Sequence, residues 1–382
     1  MSVDKLLTQN FRNLDGVSIN FHPKLNFFVG DNGSGKSSLL EALFFLGHGK
    51  SFRTSKVDSL ACHETKNFVV SVRDSNHLQL GLSRDISSGL TNIKIDGQRH
   101  SRLSILAKNI AIQIVTPESF KLFFGGPKER RRFIDLGMFH VKHDFSTLWK
   151  NFNRVLKQRN ASIRLVERPN DMNNNSMLSY WSEQFCQLSI EVSALRATYV
   201  SDIISELNHW LVILLPNLSE RVSVQYLQGW PQKADLIDVL NNNKEREASF
   251  GYSLYGAHKF DVKFLLDKKA IETQLSRGQQ KLFLLALTFA QASFIARVKL
   301  VKPILLIDDI GAELDINSRS ALSKAIEKLD CQVIITAIDS SVLQPFFGTC
   351  DERKYSMFHV KHGKVSETYP DDSEFNKSEK AI

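Results

Sequence analysis

The sequence predicts a mixed α/β fold interrupted by a long α-helical insertion. Three observations predict it. A strand, a glycine-rich loop and a helix follow one another over residues 25–46. A short aliphatic run ends in paired acids at Asp308 and Asp309. Between them, residues 144–215 carry apolar side chains at helical spacing. A chain of 382 residues suits about two domains. With 42% hydrophobic and 24% charged residues the composition is that of an ordinary soluble globular protein.

The first element is 25-LNFFV-29, a buried strand, followed by 30-GDNGSGKSS-38. Gly30, Gly35, Lys36 and Ser37 fit G-x-x-x-x-G-K-[ST]. In the helix behind the loop, Leu39, Leu40, Leu43 and Leu46 share one face. This context gives the pattern a mechanism. Gly30, Gly33 and Gly35 let the backbone of Asp31, Asn32, Ser34 and Ser38 curl so that N–H groups point inward, and the helix N-terminus adds partial positive charge. Lys36 would reach the terminal phosphates and Ser37 would ligate Mg²⁺. ATP and Mg²⁺ are therefore the expected ligands, but many unrelated nucleotide-binding classes share this loop.

The second half of the site lies far along the chain, in 303-PILLIDDIGAELD-315. Its aliphatic run suits a parallel strand buried on both faces. Asp308 then sits at the carboxyl end, where open α/β sheets bind ligands, and would hold Mg²⁺ through water opposite Ser37. Asp309 could orient or activate the attacking water and is the expected catalytic residue. Gln113, ending a short apolar strand before the insertion, is the expected third contributor at the metal.

The segment 275-LSRGQQKLFLLAL-287 sets the class. Ser276 is a natural N-cap with Gln279 three residues on, and a helix follows from about Gly278 to Arg297. A lone S-x-G-Q means little. Here it precedes the paired-acid strand in a chain with a phosphate loop, which is the signature order of an ABC-type P-loop ATPase head. That helix end points away from the chain's own loop. Ser276, Gly278 and Gln279 would complete the site of a second copy, giving an ATP-dependent homodimer.

The insertion reads as two antiparallel helices forming an arm. Leu148, Phe152, Val155, Leu156, Ile163 and Val166 make one stripe. After a polar turn at 169–176, Trp181, Phe185, Leu188, Val192, Leu195, Tyr199, Ile203, Leu207 and Trp210 make a heptad-like seam. The expected division is a head of 1–118 and 251–382 with an arm of 119–250. Within the head, 67–98 alternates as an antiparallel sheet, and the tail from about 367 is polar and expected to be disordered.

Net charge is +8, and the stretch 119–168 has twelve Lys/Arg against four Asp/Glu, a surplus equal to that of the whole chain. This favours an anionic partner, nucleic acid first. Lys128, Arg130, Arg131 and Arg132 are the densest candidates for phosphate contact, with Lys50 and Arg53 beyond the phosphate-loop helix. A solvated basic helix with structural ion pairs is the competing reading. Scattered cysteines without C-x-x-C spacing, no apolar leader and no membrane-length run suggest a cytoplasmic protein.

Four stretches carry a family resemblance: 9-QNFRNLDGVSINFHPKLNFFVGDNGSGKSSLLEA-42, 47-GHGKSFRT-54, 116-TPESFKLFFGGPKERRRFIDL-136, and the pair LSRGQQK and IDDIGAELD. Together they resemble the RecF family of bacterial replication and recombinational-repair ATPases, related in architecture to SMC heads. The resemblance implies a head with a short helical arm. It also implies ATP-dependent dimerisation, binding of single- and double-stranded DNA at gaps, and cooperation with RecR and RecO in loading RecA. Slow DNA-stimulated hydrolysis would suit a clamp. The alternative is an ATP-binding module that docks partners without significant turnover. Lys50 departs from an arginine common in the family, and His258 lies in a loose version of a family pattern. Thr336 stands where transporter-type relatives carry a switch histidine.

Overall fold

A computed structural model describes residues 2–120, 125–142, 144–165, 172–299, 302–311, 314–347 and 355–368. The chain forms two compact units: Met1–Ser119, His209–Pro216 and Ser276–Ile382 make one, and Phe120–Asn208 with Asn217–Leu275 the other. Residues 251–275 thus count with the insertion. The last turns of its long helix count with the head.

The first unit holds two six-stranded sheets. One is antiparallel, in the order β2-β1-β4-β5-β6-β7. Its strands are β1 (Val3–Gln9), β2 (Val17–Asn20), β4 (Asn67–Asp74), β5 (Gln79–Asp85), β6 (Thr91–Ile95) and β7 (Gln98–His100). Alternation within 67–95 makes it one-sided: Phe68, Val70, Val72, Leu80, Leu82 and Ile93 are buried. Phe68 meets Phe11 and Phe45 at ring separations of 5.4 and 5.6 Å. Phe45 belongs to α1 (Lys36–His48), the phosphate-loop helix.

The other sheet has the order β15-β14-β3-β13-β12-β8. Its strands are β3 (Leu25–Val29), β8 (Ile112–Val115), β12 (Ile304–Ile307), β13 (Gln332–Ala337), β14 (Tyr355–Lys361) and β15 (Lys364–Thr368). All neighbours run parallel except β14 and β15. Every residue of β12 and β13 is buried, as the unbroken aliphatic runs require. Strand β15 extends through Thr368; the remainder of the tail expected to be disordered, 369–382, lies outside the described residues. A later helix of the same unit, Arg277–Lys299, is long and apolar enough to cross a membrane by composition alone. It is apolar all round because it is buried within the unit, with Phe283, Leu285, Leu287 and Phe289 fully enclosed.

The second unit is built on helices of 15, 21 and 43 residues, Pro127–Val141, Phe145–Leu165 and Met172–Leu214. The turn expected at 169–176 is shorter, since 172–176 is already helical; 166–171 lies outside the described residues. Phe185, Val192, Tyr199, Ile203 and Leu207 are buried, as the heptad-like seam predicts. A three-stranded antiparallel sheet, β9 (Val222–Leu227), β10 (Asp261–Leu266) and β11 (Lys269–Ala270), completes the unit.

Charge is buried inside these helices. The Arg159 side chain donates to Glu247 at 2.6 Å, to Ser253 at 2.6 Å and to Ser182 at 3.0 Å. Arg196, fully buried, forks onto Asp135 at 2.9 and 3.0 Å and lies 3.8 Å from the centre of the Phe260 ring. Glu247→Gln should strand the Arg159 guanidinium and cost about 3–5 kcal/mol. A urea transition in the variant at the wild-type midpoint would refute this account of the buried pair.

Candidate active site

The strand–loop–helix at 25–48 forms as predicted, and its loop is held from outside by segments distant in sequence. An ideal Cβ on Gly30 would lie 2.2 Å from the Val360 carbonyl oxygen, so only glycine permits this approach to β14. The two-residue turn His362–Gly363 joins β14 to β15 with both residues at positive φ. Gly363 N–H donates to the Ser34 carbonyl at 2.7 Å. On another side, Asn13 accepts from the Ser38 hydroxyl at 2.9 Å and its amide reaches the Gly33 carbonyl at 3.4 Å.

Lys36 opens the helix and is buried, its ammonium donating to the carbonyls of Gly30 and Asp31. Burial lowers its pKa, while Asp308, Asp309 and Asp31 nearby oppose the shift. The ammonium is thus held at the mouth of the cradle, ready to exchange carbonyl partners for phosphate oxygens.

The two halves of the site meet at Asp308. Ser37 donates to its Oδ1 at 3.1 Å across 271 residues of sequence. Thr336, at the end of β13, donates to the same oxygen at 2.7 Å and accepts from the Asp309 N–H at 2.9 Å. Burial raises the Asp308 pKa against these hydroxyls, and Asp309 adds to the rise. Asp309 adopts a positive φ of 52°, and its carbonyl accepts from Lys281 at 2.9 Å. Its Oδ1 is buried with no hydrogen-bond partner among the described residues. Ala312 and Glu313 of GAELD lie outside those residues.

An open cleft of about 810 Å³ brings these groups together, with Asn32, Gly33, Gly35, Lys36, Ser37, Ser38, Asp308, Asp309 and Thr336 in its wall. Hydroxyl and carboxylate oxygens side by side suit a hard divalent cation that takes its other ligands from phosphate and water. Gln113 is not in this wall. It lies within β8, paired with Leu305, buried and with Nε2 unpartnered among the described residues, so it does not end the strand as expected.

Arg12 and Arg53 also line the cleft. Both address Glu41, a fully buried carboxylate on α1. Arg12 forks onto it at 2.9 Å for both bonds, Arg53 lies 3.7 Å away, and Ser51 donates to it. Ser51 in turn accepts from the N–H groups of Arg53 and Thr54 at 2.8 and 3.0 Å. Arg12 and Asn13 were not singled out by sequence reasoning. Their only local signal is a polar pair between Phe11 and Leu14, both fully buried.

The remaining candidates fall elsewhere. Ser276 and Gln279 form the reciprocal capping box, at 3.0 and 3.3 Å, and the helix starts at Arg277. With Gly278 they lie at an open helix end outside the cleft wall. Among the basic candidates, Arg130 is committed to the fold: it forks onto Asp261 at 2.8 Å for both bonds, which raises its pKa. Arg131 donates to the Phe260 carbonyl at 3.0 Å. Lys128 and Arg132 are exposed, Arg132 lying 3.8 Å from Glu129; Lys50 is exposed beyond α1. His258 is enclosed, and burial drops its pKa to about 4.

Comparison with known proteins finds a matching family, related sequences and solved structures of the same fold. The family described as RecF/RecN/SMC N terminal domain matches residues 2–366. The DNA replication and repair protein RecF of Colwellia psychrerythraea is 68% identical, with 96% of this chain and 97% of that protein aligned. Its namesake in Haemophilus influenzae is 36% identical over 96% and 99%. A solved structure of the recombination mediator protein RecF with ATP in the RecFOR pathway superposes with a TM-score of 0.81 at 22% identity, covering 96% of this chain and 97% of that one. An SMC head bound to the C-winged helix domain of ScpA gives 0.56 at 17%, covering 98% and 100%. These structures share the fold.

Thr336→Val should orphan the Asp309 N–H and remove one of the two hydroxyl donors to Asp308, costing about 1–3 kcal/mol. Thr336→Ser should keep most of that stability. Equal melting temperatures for the valine and wild-type proteins would show that this hydroxyl does not hold the acidic loop.

Proposed function

This chain belongs to the RecF family, and from that premise we propose that it is an ATP-dependent DNA-binding protein of replication and recombinational repair. The observation that carries the reading is the meeting of Lys36, Ser37, Asp308 and Asp309 in one cleft. Phosphate oxygens take the place of the Gly30 and Asp31 carbonyls at Lys36, while the N-terminus of α1 supplies further N–H donors. Ser37 and Asp308 hold Mg²⁺, which when bound neutralises phosphate charge and orients the terminal phosphoryl group. Asp309, with a carboxylate oxygen unclaimed by the fold, positions water and accepts its proton. Arg12 and Arg53, steadied by Glu41, add positive charge to the same wall.

The open capping box at Ser276, Gly278 and Gln279 offers its N-terminus to the γ-phosphate held by a second copy, so ATP joins two heads. Hydrolysis in such an assembly is slow and DNA-stimulated, and releases the clamp. The head is drawn from 1–119 and 276–382 and the arm from most of the residues between them, with 251–275 on the arm rather than the head as the sequence suggested, and the setting is the cytoplasm. RecR and RecO are the partners the family suggests for work at single-strand gaps. Lys128, Arg132, Lys50 and Arg53 remain candidate phosphate contacts. Arg130 and Arg131 act instead through the fold.

Ser276→Arg should leave ATP binding intact and abolish ATP-dependent dimerisation; light scattering that still shows an ATP-induced dimer would remove the trans assignment. Lys36→Ala should lose nucleotide-dependent retention on DNA. If wild-type protein binds duplex and single-stranded DNA equally well with ATP, ADP and no nucleotide, the clamp is wrong.

A further inference from the structure

The outward face of the antiparallel sheet carries a charge pattern that folding alone does not explain. Register places Lys5 directly opposite Arg73 on neighbouring strands. It also places Lys94 directly opposite Arg99. Like charges directly opposed across strands destabilise a sheet. None of these four side chains makes an ion pair among the described residues. Arg73, Lys94 and Arg99 are exposed and Lys5 is half-buried.

Between the two cation pairs the face is low and uncharged. Leu7 is opposite Ser71, Ser71 opposite Gly81, and Gly81 opposite Lys94; Val69 is opposite Ser83. Small side chains in the middle strands leave a trough of about 570 Å³ over this face. From strand spacing and rise, the nearest members of the two pairs, Arg73 and Lys94, lie about 12 Å apart. The alternation brings two carboxylates to this face: Asp85, at the far end of β5 opposite Asn67, accepts from the Ser88 N–H in its own turn, and Asp96, in the turn after β6, accepts from the Gln79 N–H at 2.8 Å. Two repulsive pairs therefore flank an open trough whose nearest acids, Asp85 and Asp96, are engaged by backbone N–H groups.

We infer that this face is a docking surface for the phosphodiester backbone of duplex nucleic acid. The occupant follows from charge complementarity: phosphates spaced along a strand relieve both cation pairs at once, and the small residues between them let the backbone approach closely. Contacts of this kind carry no sequence preference. The inference rests on the DNA-binding reading above and locates it. Arg130, Arg131 and Arg159 of the arm spend their charge on Asp261, a backbone carbonyl and Glu247. The sheet cations have no such internal partner.

The test uses the full-length protein and a short fluorescein-labelled duplex, with anisotropy followed against salt. Lys5→Gln/Arg73→Gln and Lys94→Gln/Arg99→Gln are compared with Lys128→Gln/Arg132→Gln and wild type. Each sheet variant should bind roughly 10–50-fold more weakly near physiological salt, with its log–log salt slope smaller by about 1.8. Each should also melt at or above the wild-type temperature, because an opposed cation pair has been relieved. Wild-type slope and affinity in both sheet variants, with wild-type protein binding normally, would overturn this surface and leave the DNA reading standing. No binding by wild type at any salt would end both. Weakened binding that comes only with a lowered melting temperature, or weakened binding of polyglutamate in place of DNA, would also overturn it.

Discussion

The Asp308 carboxylate is the point on which the head depends. It is buried, so it must be satisfied, and its two hydroxyl donors come from different elements: Ser37 at the start of α1 and Thr336 at the end of β13. Because Thr336 also holds the Asp309 N–H, the same contact fixes a loop with an unfavourable positive φ. The parallel sheet lines up the ends of β3, β13 and β12 in register, so three segments from distant parts of the chain deliver their tips to one place. Without that register the phosphate loop and the paired acids would be two unrelated motifs.

A second theme is the burial of charge against charge. Glu41, Glu247 and Asp135 each draw an arginine, and in each case the pair joins segments distant in sequence. The costs differ. Arg12 reaches Glu41 from the edge of the cleft and stays partly exposed, whereas Arg159 and Arg196 are enclosed and depend wholly on their partners. Removing one member of an enclosed pair is therefore a structural lesion, and removing Arg12 is one too because it strands the fully buried Glu41, while altering Arg53, 3.7 Å from that carboxylate, acts first at the site. The basic run at 127–132 divides along the same line, into internal struts and exposed surface charge.

Much of this was legible in the sequence. Local chemistry wrote the phosphate loop, the capping box at Ser276 and the buried strand before Asp308, because each is decided by neighbours within a few residues. The seam of Phe185, Val192, Tyr199 and Ile203 was legible for the same reason. What escaped was set by partners far away in sequence. Nothing near Arg130 announces Asp261, and nothing near Glu41 announces Arg12. Thr336 could be noticed only as an absent histidine until β12 and β13 were seen side by side. Gln113 looked like a strand terminus because it is the first polar residue after Ile110, Ala111 and Ile112, but Ile114 and Val115 carry the strand on past it. The turn at His362–Gly363 did carry a signal, a two-residue hairpin sequence between alternating strands, but its contact with Ser34 could not be read from it.

That contact has a consequence for how the molecule comes into being. The phosphate loop and its helix end at His48. The hairpin that carries Val360 and Gly363 against the loop, Tyr355–Thr368, is made about 300 residues later. At ordinary translation rates the interval between them is about 15–60 s. During that time a nascent chain holds the full phosphate-loop sequence without the wall that shapes it. The cradle is finished only once the chain has been made through Gly363, so a product truncated before that residue carries the motif but not the built loop.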